Sequence, residues 1–304
     1  MGAVALNDRF WSAAAAAATG IQVGSAMVAT RFVVDQTGPA SLALLRYVIG
    51  ACCLMPPLLL ARSRVRFAPR DLVPIALLGI TQFGILIALL NYGLRSVPSA
   101  RAALIFATFP LLTTIVAAAL GRERLTPSKL GGVLLTILGV GLALGDKTLQ
   151  AGGGDHVWIG ELSVFASALS GALCSVLYRP YLERYPTLPV SAFAMLASVG
   201  FLALLAAGEG FFAAAPTLTP GGWLAVLFIG LSSGGGYYLW LWALNHETPT
   251  QVTVFLALSP VTASILGAWL LGEPISPLVA VGLVLVVGGL VLAHKSPGQT
   301  APAA

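Results

Sequence analysis

Charged residues are scarce in this chain, and their scarcity excludes most classes of soluble protein. Only 9% of its 304 residues are charged and 58% are hydrophobic, whereas a soluble domain carries about 25% charged residues to hydrate its surface. The charges lie between long apolar runs, each near the ~20 residues that cross a bilayer as a helix. Helices are favoured because unpaired backbone polar groups are costly in lipid. The composition therefore predicts an all-α integral membrane protein.

Cysteine and histidine are too few to suggest a disulfide, a metal centre or catalysis, and their spacing matches no known motif. The three cysteines occupy apolar runs without CxxC or Cys/His spacing. His246 and Glu247 are not followed by the second His of a metal-binding HExxH motif. The other two histidines lie at the ends of apolar runs, away from any Ser at membrane depth. We expect no metal, no cofactor and no catalytic residue, so an intramembrane enzyme is the least favoured class.

Ten apolar runs are candidate membrane spans, and most of the loops between them are tight. The runs cover about residues 11–34, 39–61, 71–93, 98–120, 130–146, 158–178, 188–207, 221–244, 249–271 and 276–293. The net charge of +5 does not indicate nucleic-acid binding, because the basic residues fall in short loops without interleaved aromatics. The ten runs predict a fold of ten transmembrane helices in a lipid bilayer.

The distribution of Lys and Arg predicts the orientation of the chain, because cytoplasmic loops are enriched in both. With the N-terminus inside, the loops on the inner side hold eleven of the sixteen basic residues: Arg9, Arg62, Arg64, Arg66, Arg70, Arg122, Arg124, Lys129, Arg179, Arg184 and Lys295. The other five, Arg31, Arg46, Arg95, Arg101 and Lys147, lie on the outer side or near outer helix ends. Both termini are therefore predicted to be cytoplasmic.

The two halves of the chain match at a constant offset of 150 residues. The pairs are Ala107 and Ala257, Pro110 and Pro260, Leu120 and Leu270, Glu123 and Glu273, Pro127 and Pro277, Gly132 and Gly282, Leu135 and Leu285, and Gly139 and Gly289. Each half holds five spans, an odd number, so the second half enters the membrane from the opposite side. The loop at Glu123 is then cytoplasmic and the loop at Glu273, which carries no Lys or Arg, is external.

This duplication predicts two inverted five-helix repeats, an organisation common among transporters. The first repeat is predicted to cover residues 1–146 and the second, with a short cytoplasmic tail, residues 158–304. Residues 147–157 form an external linker between them in this interpretation.

Three further stretches give the chain a family resemblance. Gly38-Pro39 followed by Leu45-Arg46-Tyr47, the aromatic stretch 238–244, and the paired segments 110–123 and 260–273 resemble the EamA-type drug/metabolite transporters. The resemblance spans nearly the whole chain. It implies ten helices around a central cavity and export of amino acids or related small metabolites across a bacterial inner membrane.

Polar side chains near the middle of the spans are the first candidates for a substrate site, which such folds place near the bilayer midplane. Gln22 and Gln82 lie about eleven residues into spans one and three. At a rise of ~1.5 Å per residue, this depth is near the centre of the bilayer. They either line a cavity or join helices by hydrogen bonds. Thr108 and Ser259 precede Pro110 and Pro260, and a proline inside a helix frees a carbonyl one turn back.

Aromatic residues form a second group of candidates. Tyr237 and Trp240 share one face of span eight, just after the Gly234–Gly236 run. These aromatics could stack on an apolar part of the cargo. A belt at the cytoplasmic interface explains Trp242 equally well, but Tyr237 and Trp240 lie one turn deeper and are kept as candidates. Tyr92, beside Asn91, occupies the matching place of Trp242 in the first repeat.

Arg46 lies about seven residues into span two, where a charge is costly unless it is paired or faces water. It is either an anchor for a substrate carboxylate or a structural arginine. No acid lies at mid-span, and only Glu161 begins to enter a helix. We therefore expect neutral or zwitterionic cargo and weak coupling to protons.

A carrier for small molecules is the function that the sequence favours, with a channel or a flippase for lipid-linked substrates as alternatives. No ring-forming filter motif or charged pore-lining helix supports a channel. The sequence leaves open whether the protein acts as a monomer or a homodimer.

Overall fold

A computed structural model describes residues 2–60, 66–122, 126–144, 157–214 and 216–294 of the protein. Within these ranges the regular elements are all helical, as the composition predicts. The α-helices are α1 (Gly2–Val33), α2 (Pro39–Leu60), α3 (Pro69–Gly79), α4 (Leu86–Gly93), α5 (Ser99–Phe106), α6 (Phe109–Ala119), α7 (Pro127–Leu144), α8 (Val157–Arg184), α9 (Thr187–Gly208), α10 (Pro220–His246), α11 (Pro249–Val254), α12 (Leu258–Leu271) and α13 (Pro277–His294). The predicted loop at Glu123, nearly all of the linker and the tail beyond residue 294 lie outside the described ranges.

Eight helical stretches of the described chain are long and apolar enough to cross a membrane. They are Trp11–Gln36, Pro39–Leu60, Pro69–Gly93, Ser99–Ala119, Val157–Arg184, Thr187–Gly208, Pro220–His246 and Gln251–Leu271. Two shorter apolar stretches, Leu130–Leu142 and Pro277–Gly289, lie in α7 and α13. Each of the ten spans expected from the sequence overlaps one of these stretches.

Two of the long stretches are broken at related positions. The helix of the fourth span ends at Phe106 and resumes at Phe109, and that of the ninth passes through a 3₁₀ turn, Phe255–Ala257. Each break lies just before a proline, Pro110 or Pro260, because the proline ring lacks an N–H and clashes with the carbonyl four residues earlier. The duplicated prolines therefore interrupt one helix in each half of the chain.

Reciprocal contacts between α7 and α13 show how the two halves are related. A Cβ added to Gly139 would lie 2.6 Å from the Gly282 carbonyl oxygen, and one added to Gly289 would lie 2.6 Å from that of Gly132. The backbones therefore touch where no side chain fits. Because residue numbers rise along α7 as they fall along α13, the helices are antiparallel. Such reciprocal contacts are those of two copies related by a two-fold axis across the helices.

A second reciprocal contact joins the first helix of each half to the third helix of the other half. The backbone N–H of Ala68, just before α3, donates to the Tyr185 hydroxyl just after α8 (3.1 Å). The N–H of Thr219, just before α10, donates to the side-chain oxygen of Gln36 just after α1 (2.9 Å). These two hydrogen bonds join equivalent places in the two halves, as the α7–α13 contacts do.

The close α7–α13 contact gives a stability prediction. Gly139→Ala puts a methyl group against the Gly282 carbonyl, and overpacking of this kind costs about 1–3 kcal/mol. We expect a lower thermal unfolding temperature for the purified protein in detergent. Gly141→Ala, two residues away with nothing within 4 Å of the added Cβ, is the matched control. Equal unfolding temperatures for the two variants would contradict the contact.

Candidate functional site

A cavity of about 90 Å³ lies among the central helices. Its lining on α1 runs from Thr19 to Thr30, which is about 16 Å along the helix axis. Both halves of the chain contribute to it, the second half through α10 and the 3₁₀ turn before α12. The lining residues are Thr19, Gln22, Val23, Ala26, Met27, Thr30, Arg46, Tyr47, Gln82, Phe83, Leu86, Ile87, Leu90, Phe106, Phe109, Ser233, Gly236, Tyr237, Trp240 and Leu256.

Five of the residues singled out from the sequence line this cavity: Gln22, Arg46, Gln82, Tyr237 and Trp240. They come from α1, α2, α10 and the π-helical segment Ile80–Ile85 between α3 and α4. Sequence positions far apart in the chain are thus brought to one site, with contributions from both repeats.

The two glutamines are held in different ways. Gln22 donates a long hydrogen bond from its side-chain nitrogen to the Ser232 hydroxyl (3.4 Å), and it packs against Gly236, where an added Cβ would lie 2.8 Å from the Gln22 oxygen. Gln82 lies on a π-helical segment, Ile80–Ile85, and such segments are frequent at functional sites. Its side-chain oxygen is buried without a hydrogen-bond partner among the described residues.

Arg46 brings an uncompensated positive charge to the cavity wall. Its side chain is buried, with the residue 7% exposed, and its Nε donates to the Ser233 hydroxyl at 2.6 Å. The guanidinium carbon lies 5.5 Å from the centroid of the Tyr47 ring. No carboxylate of the described chain lies within 4.0 Å of it. A buried cation without an acid favours an anionic group of a ligand.

Two groups of aromatic rings form the apolar walls of the cavity. In the first, the centroid of the Phe83 ring lies 4.9 Å from that of Tyr47 and 4.0 Å from that of Tyr237. In the second, the Phe109 ring lies between Phe106 (5.4 Å) and Trp240 (6.0 Å). The sequence analysis did not name the three phenylalanines as site candidates, and it named Tyr47 only as part of the family motif. The only local signals are that Phe83 follows Gln82 and that Phe106 and Phe109 flank the break before Pro110.

The other four predicted residues lie away from the cavity lining. Asn91 is buried and donates to the Pro39 carbonyl (2.9 Å), so it joins α4 to the start of α2. Tyr92, next to it, is 46% exposed. Thr108 and Ser259 are buried at the two helix breaks, and their hydroxyls donate to the carbonyls of Ile105 (2.8 Å) and Leu256 (2.6 Å).

The chemistry of the lining is that of a small-molecule site. It combines one cation, two amides, several hydroxyls and aromatic walls, and the described lining contains no Asp or Glu. The described residues also hold no group of three His, Cys, Asp or Glu side chains that could bind a metal. Such a site fits a ligand with an anionic group and an apolar part.

Comparison with known proteins gives a family match over nearly the whole chain. The sequence profile of the EamA-like transporter family matches twice, over residues 10–145 and 158–294. A solved crystal structure with 24% sequence identity superposes with a TM-score of 0.69 over 91% of this chain and 98% of that chain, which supports the fold.

Curated relatives are transporters as well. A probable terminal-alkyne amino-acid exporter of Streptantibioticus cattleyicolor is 31% identical over 276 residues, which cover 89% of each chain. An uncharacterized transporter of Archaeoglobus fulgidus is 26% identical over 88% of this chain and 92% of its own length. One of Bacillus subtilis is 25% identical over 90% of both chains.

The bond between Arg46 and Ser233 gives a prediction that does not depend on a ligand. Ser233→Ala removes the acceptor of a buried charged donor, and such a hydrogen bond is worth about 1.5–3 kcal/mol. We expect a clear fall in the thermal unfolding temperature. Ser170→Ala is the matched control, because the Ser170 hydroxyl bonds the Ala166 carbonyl of its own helix (2.9 Å). Equal effects of the two substitutions would show that the hydrogen bond between Arg46 and Ser233 does not stabilise the protein.

Proposed function

The chain belongs to the EamA-like transporter family, and on that premise we propose that it exports small neutral or zwitterionic metabolites, amino acids foremost, across a bacterial inner membrane. The family and the names of its relatives indicate a multi-pass membrane transporter and not an enzyme. The proposal concerns the cargo, the direction of transport and the mechanism.

The observation that carries the proposed cargo is the buried Arg46 in a cavity whose described lining has no acid. In this proposal the guanidinium binds the carboxylate of an amino acid, because paired opposite charges are strong where water is excluded. Gln22 and Gln82 bind polar atoms of the cargo, and the aromatic walls contact its side chain. The name of one relative, a probable terminal-alkyne amino-acid exporter, agrees with this choice.

The proposed mechanism is alternating access between two inverted five-helix repeats, with ten membrane-spanning helices and both termini in the cytoplasm. Several polar contacts then join the repeats on the outer side. The Glu209 carboxylate accepts from the backbone N–H groups of Ala40 (3.0 Å) and Ser41 (2.8 Å). Arg101 and Glu161 form an ion pair at 2.5 Å. These contacts hold the outer ends of the repeats together, so that opening to the outside requires breaking them.

Counterflow in proteoliposomes tests the cargo and the site together. We expect saturable, competed entry of labelled amino acids into vesicles preloaded with unlabelled ones. Gln82→Ala and Trp240→Ala remove cavity contacts and are expected to change KM or cargo preference. Each lost contact is worth about 1–3 kcal/mol, or about 5- to 150-fold in affinity. Tyr92→Ala, an exposed residue away from the cavity, is the control.

Two results would contradict different parts of this proposal. Absence of uptake for every amino acid, from folded and inserted protein, would exclude amino acids as cargo and leave other metabolites or lipid-linked substrates. Saturable uptake with unchanged kinetics in both cavity variants would place the substrate site elsewhere.

Cross-linking tests the relative motion of the repeats. Cysteines at positions 36 and 219 replace a Gln–Thr contact between the repeats, whose side-chain oxygens lie 3.1 Å apart. In a background without native cysteines, a short bismaleimide should abolish counterflow. The matched control is a pair at positions 37 and 95, where Arg95 bonds the Thr37 carbonyl within the first repeat (3.1 Å); its cross-link should leave flux intact. Full transport by the cross-linked first pair would overturn the mechanism.

A further inference from the structure

A second cavity, of about 180 Å³, lies between residues 12–16 of α1 and the chain that runs from the end of α10 through α11 to Phe255. Its lining residues are Ser12, Ala13, Ala16, Glu247, Gln251, Val252 and Phe255. In the proposed orientation it faces the cytoplasm. The central site described above does not include any of these residues.

Two polar side chains of this second cavity, those of Ser12 and Glu247, are available to a ligand, whereas the Gln251 side-chain oxygen accepts a hydrogen bond from the Thr248 hydroxyl (3.0 Å). Ser12 is 1% exposed, and its hydroxyl has no hydrogen-bond partner in the described chain. Glu247 is half-buried, and among the residues whose side chains the structure describes, which on α1 begin at Trp11, no basic one lies within 4.0 Å of its carboxylate. A carboxylate and a hydroxyl in a pocket with apolar walls suit a small cation that donates hydrogen bonds, such as a primary ammonium group.

The second cavity has an equivalent place on the other side of the protein, related to it by the repeat, and that place holds no such cavity in the described chain. The offset of 150 relates Gln251 to Arg101, and Ser12 corresponds to Glu161 within one residue. On the outer side, Arg101 and Glu161 form an ion pair between the first helix of one repeat and the fourth helix of the other. On the inner side, the equivalent positions hold Ser12 and Gln251, and a cavity remains between them. The chain is therefore closed at one of two equivalent places and open at the other.

Only a thin wall separates the second cavity from the central one. On α1, Ala16 lines the second cavity and Thr19, one turn later, lines the central one. In the 3₁₀ turn before α12, Phe255 lines the second and Leu256 the central cavity. Gly20 packs on the Phe255 carbonyl oxygen, so closely that no Cβ fits. A small movement of this turn away from α1 would join the two cavities.

We propose that the second cavity is a cytoplasmic loading site, in which Glu247 and Ser12 bind the ammonium group of the cargo before the cargo passes the Phe255 turn to the central cavity. The inference rests on the proposed export of amino acids for its direction, but the ammonium site is testable without transport. The ligand class is a small primary ammonium, either free or part of a zwitterion.

Cysteine protection tests the site directly. Ala13→Cys, in a background with Cys52, Cys53 and Cys174 replaced by Ala, places a thiol in the cavity wall while leaving Ser12 and Glu247 in place. We expect a membrane-impermeant methanethiosulfonate reagent to label it in inside-out vesicles and not in right-side-out vesicles. L-leucine and n-butylamine should slow the labelling, whereas 4-methylpentanoate, which has the leucine carbon chain and carboxylate but no ammonium, should not.

Glu247→Gln keeps the shape of the side chain and removes its charge. The half-protecting concentration of n-butylamine is expected to rise about tenfold, the usual consequence of losing one hydrogen bond to a charged group. Glu183→Gln is the matched control, because Glu183 is an exposed acid of α8 that pairs with Arg179, outside the cavity. As a second measurement, n-butylamine should raise the thermal unfolding temperature of the unlabelled wild type and not that of Glu247→Gln.

The outcomes separate this site from the proposed function. Labelling from the outer side, equal protection by 4-methylpentanoate, or unchanged protection in Glu247→Gln would each overturn the loading site, even if amino-acid counterflow is normal. Protection by n-butylamine that depends on Glu247, in a protein that shows no amino-acid counterflow, would support the ammonium site while overturning the proposed cargo.

Discussion

The need of every backbone group in a membrane for a hydrogen-bond partner is the constraint on which this architecture depends. Helices satisfy it within themselves, and two prolines, Pro110 and Pro260, break it at equivalent places in the two repeats. Each break frees backbone groups that lipid cannot solvate, so both breaks are enclosed by neighbouring helices. Phe106, just before the first break, and Leu256, within the second, both line the central cavity. The duplicated prolines thus account for the position of the cavity as well as for the irregular helices.

Sequence patterns predicted the helical class and five of the residues that line the cavity, but not the other lining residues. Gln22, Gln82 and Arg46 stood out because polar groups are rare in apolar runs. Phe83 and Phe109 could not stand out, since one phenylalanine in an apolar run resembles any other until packing selects its direction. Conversely, Asn91 and Thr108 were polar and lay within apolar runs, yet Asn91 donates to a backbone carbonyl at the start of α2 and Thr108 to one in the preceding turn of its own span.

The glycines show the same limit from another side. The match of Gly132 and Gly139 with Gly282 and Gly289 indicated a duplication, but a repeat in sequence does not state which helix touches which. The structure shows that the fifth helices of the two repeats pack on each other with reciprocal backbone contacts. Their antiparallel course follows from that reciprocity. The membrane topology inferred from the charges of the loops stays a prediction, with which this antiparallel packing is compatible.

If the cargo is the zwitterion proposed above, the positive charge of Arg46 in the described cavity lining also has a consequence for the energy source of transport. Moving one elementary charge through the membrane potential involves about 2.3 kcal/mol per 100 mV. A zwitterion bound at Arg46 adds no net charge, so the loaded and the empty carrier cross with the same charge. Voltage then acts equally on the two half-cycles and cancels over a full turn. Such a carrier is electrically silent. Without a coupled ion, it moves its cargo only until the concentrations on the two sides of the membrane are equal.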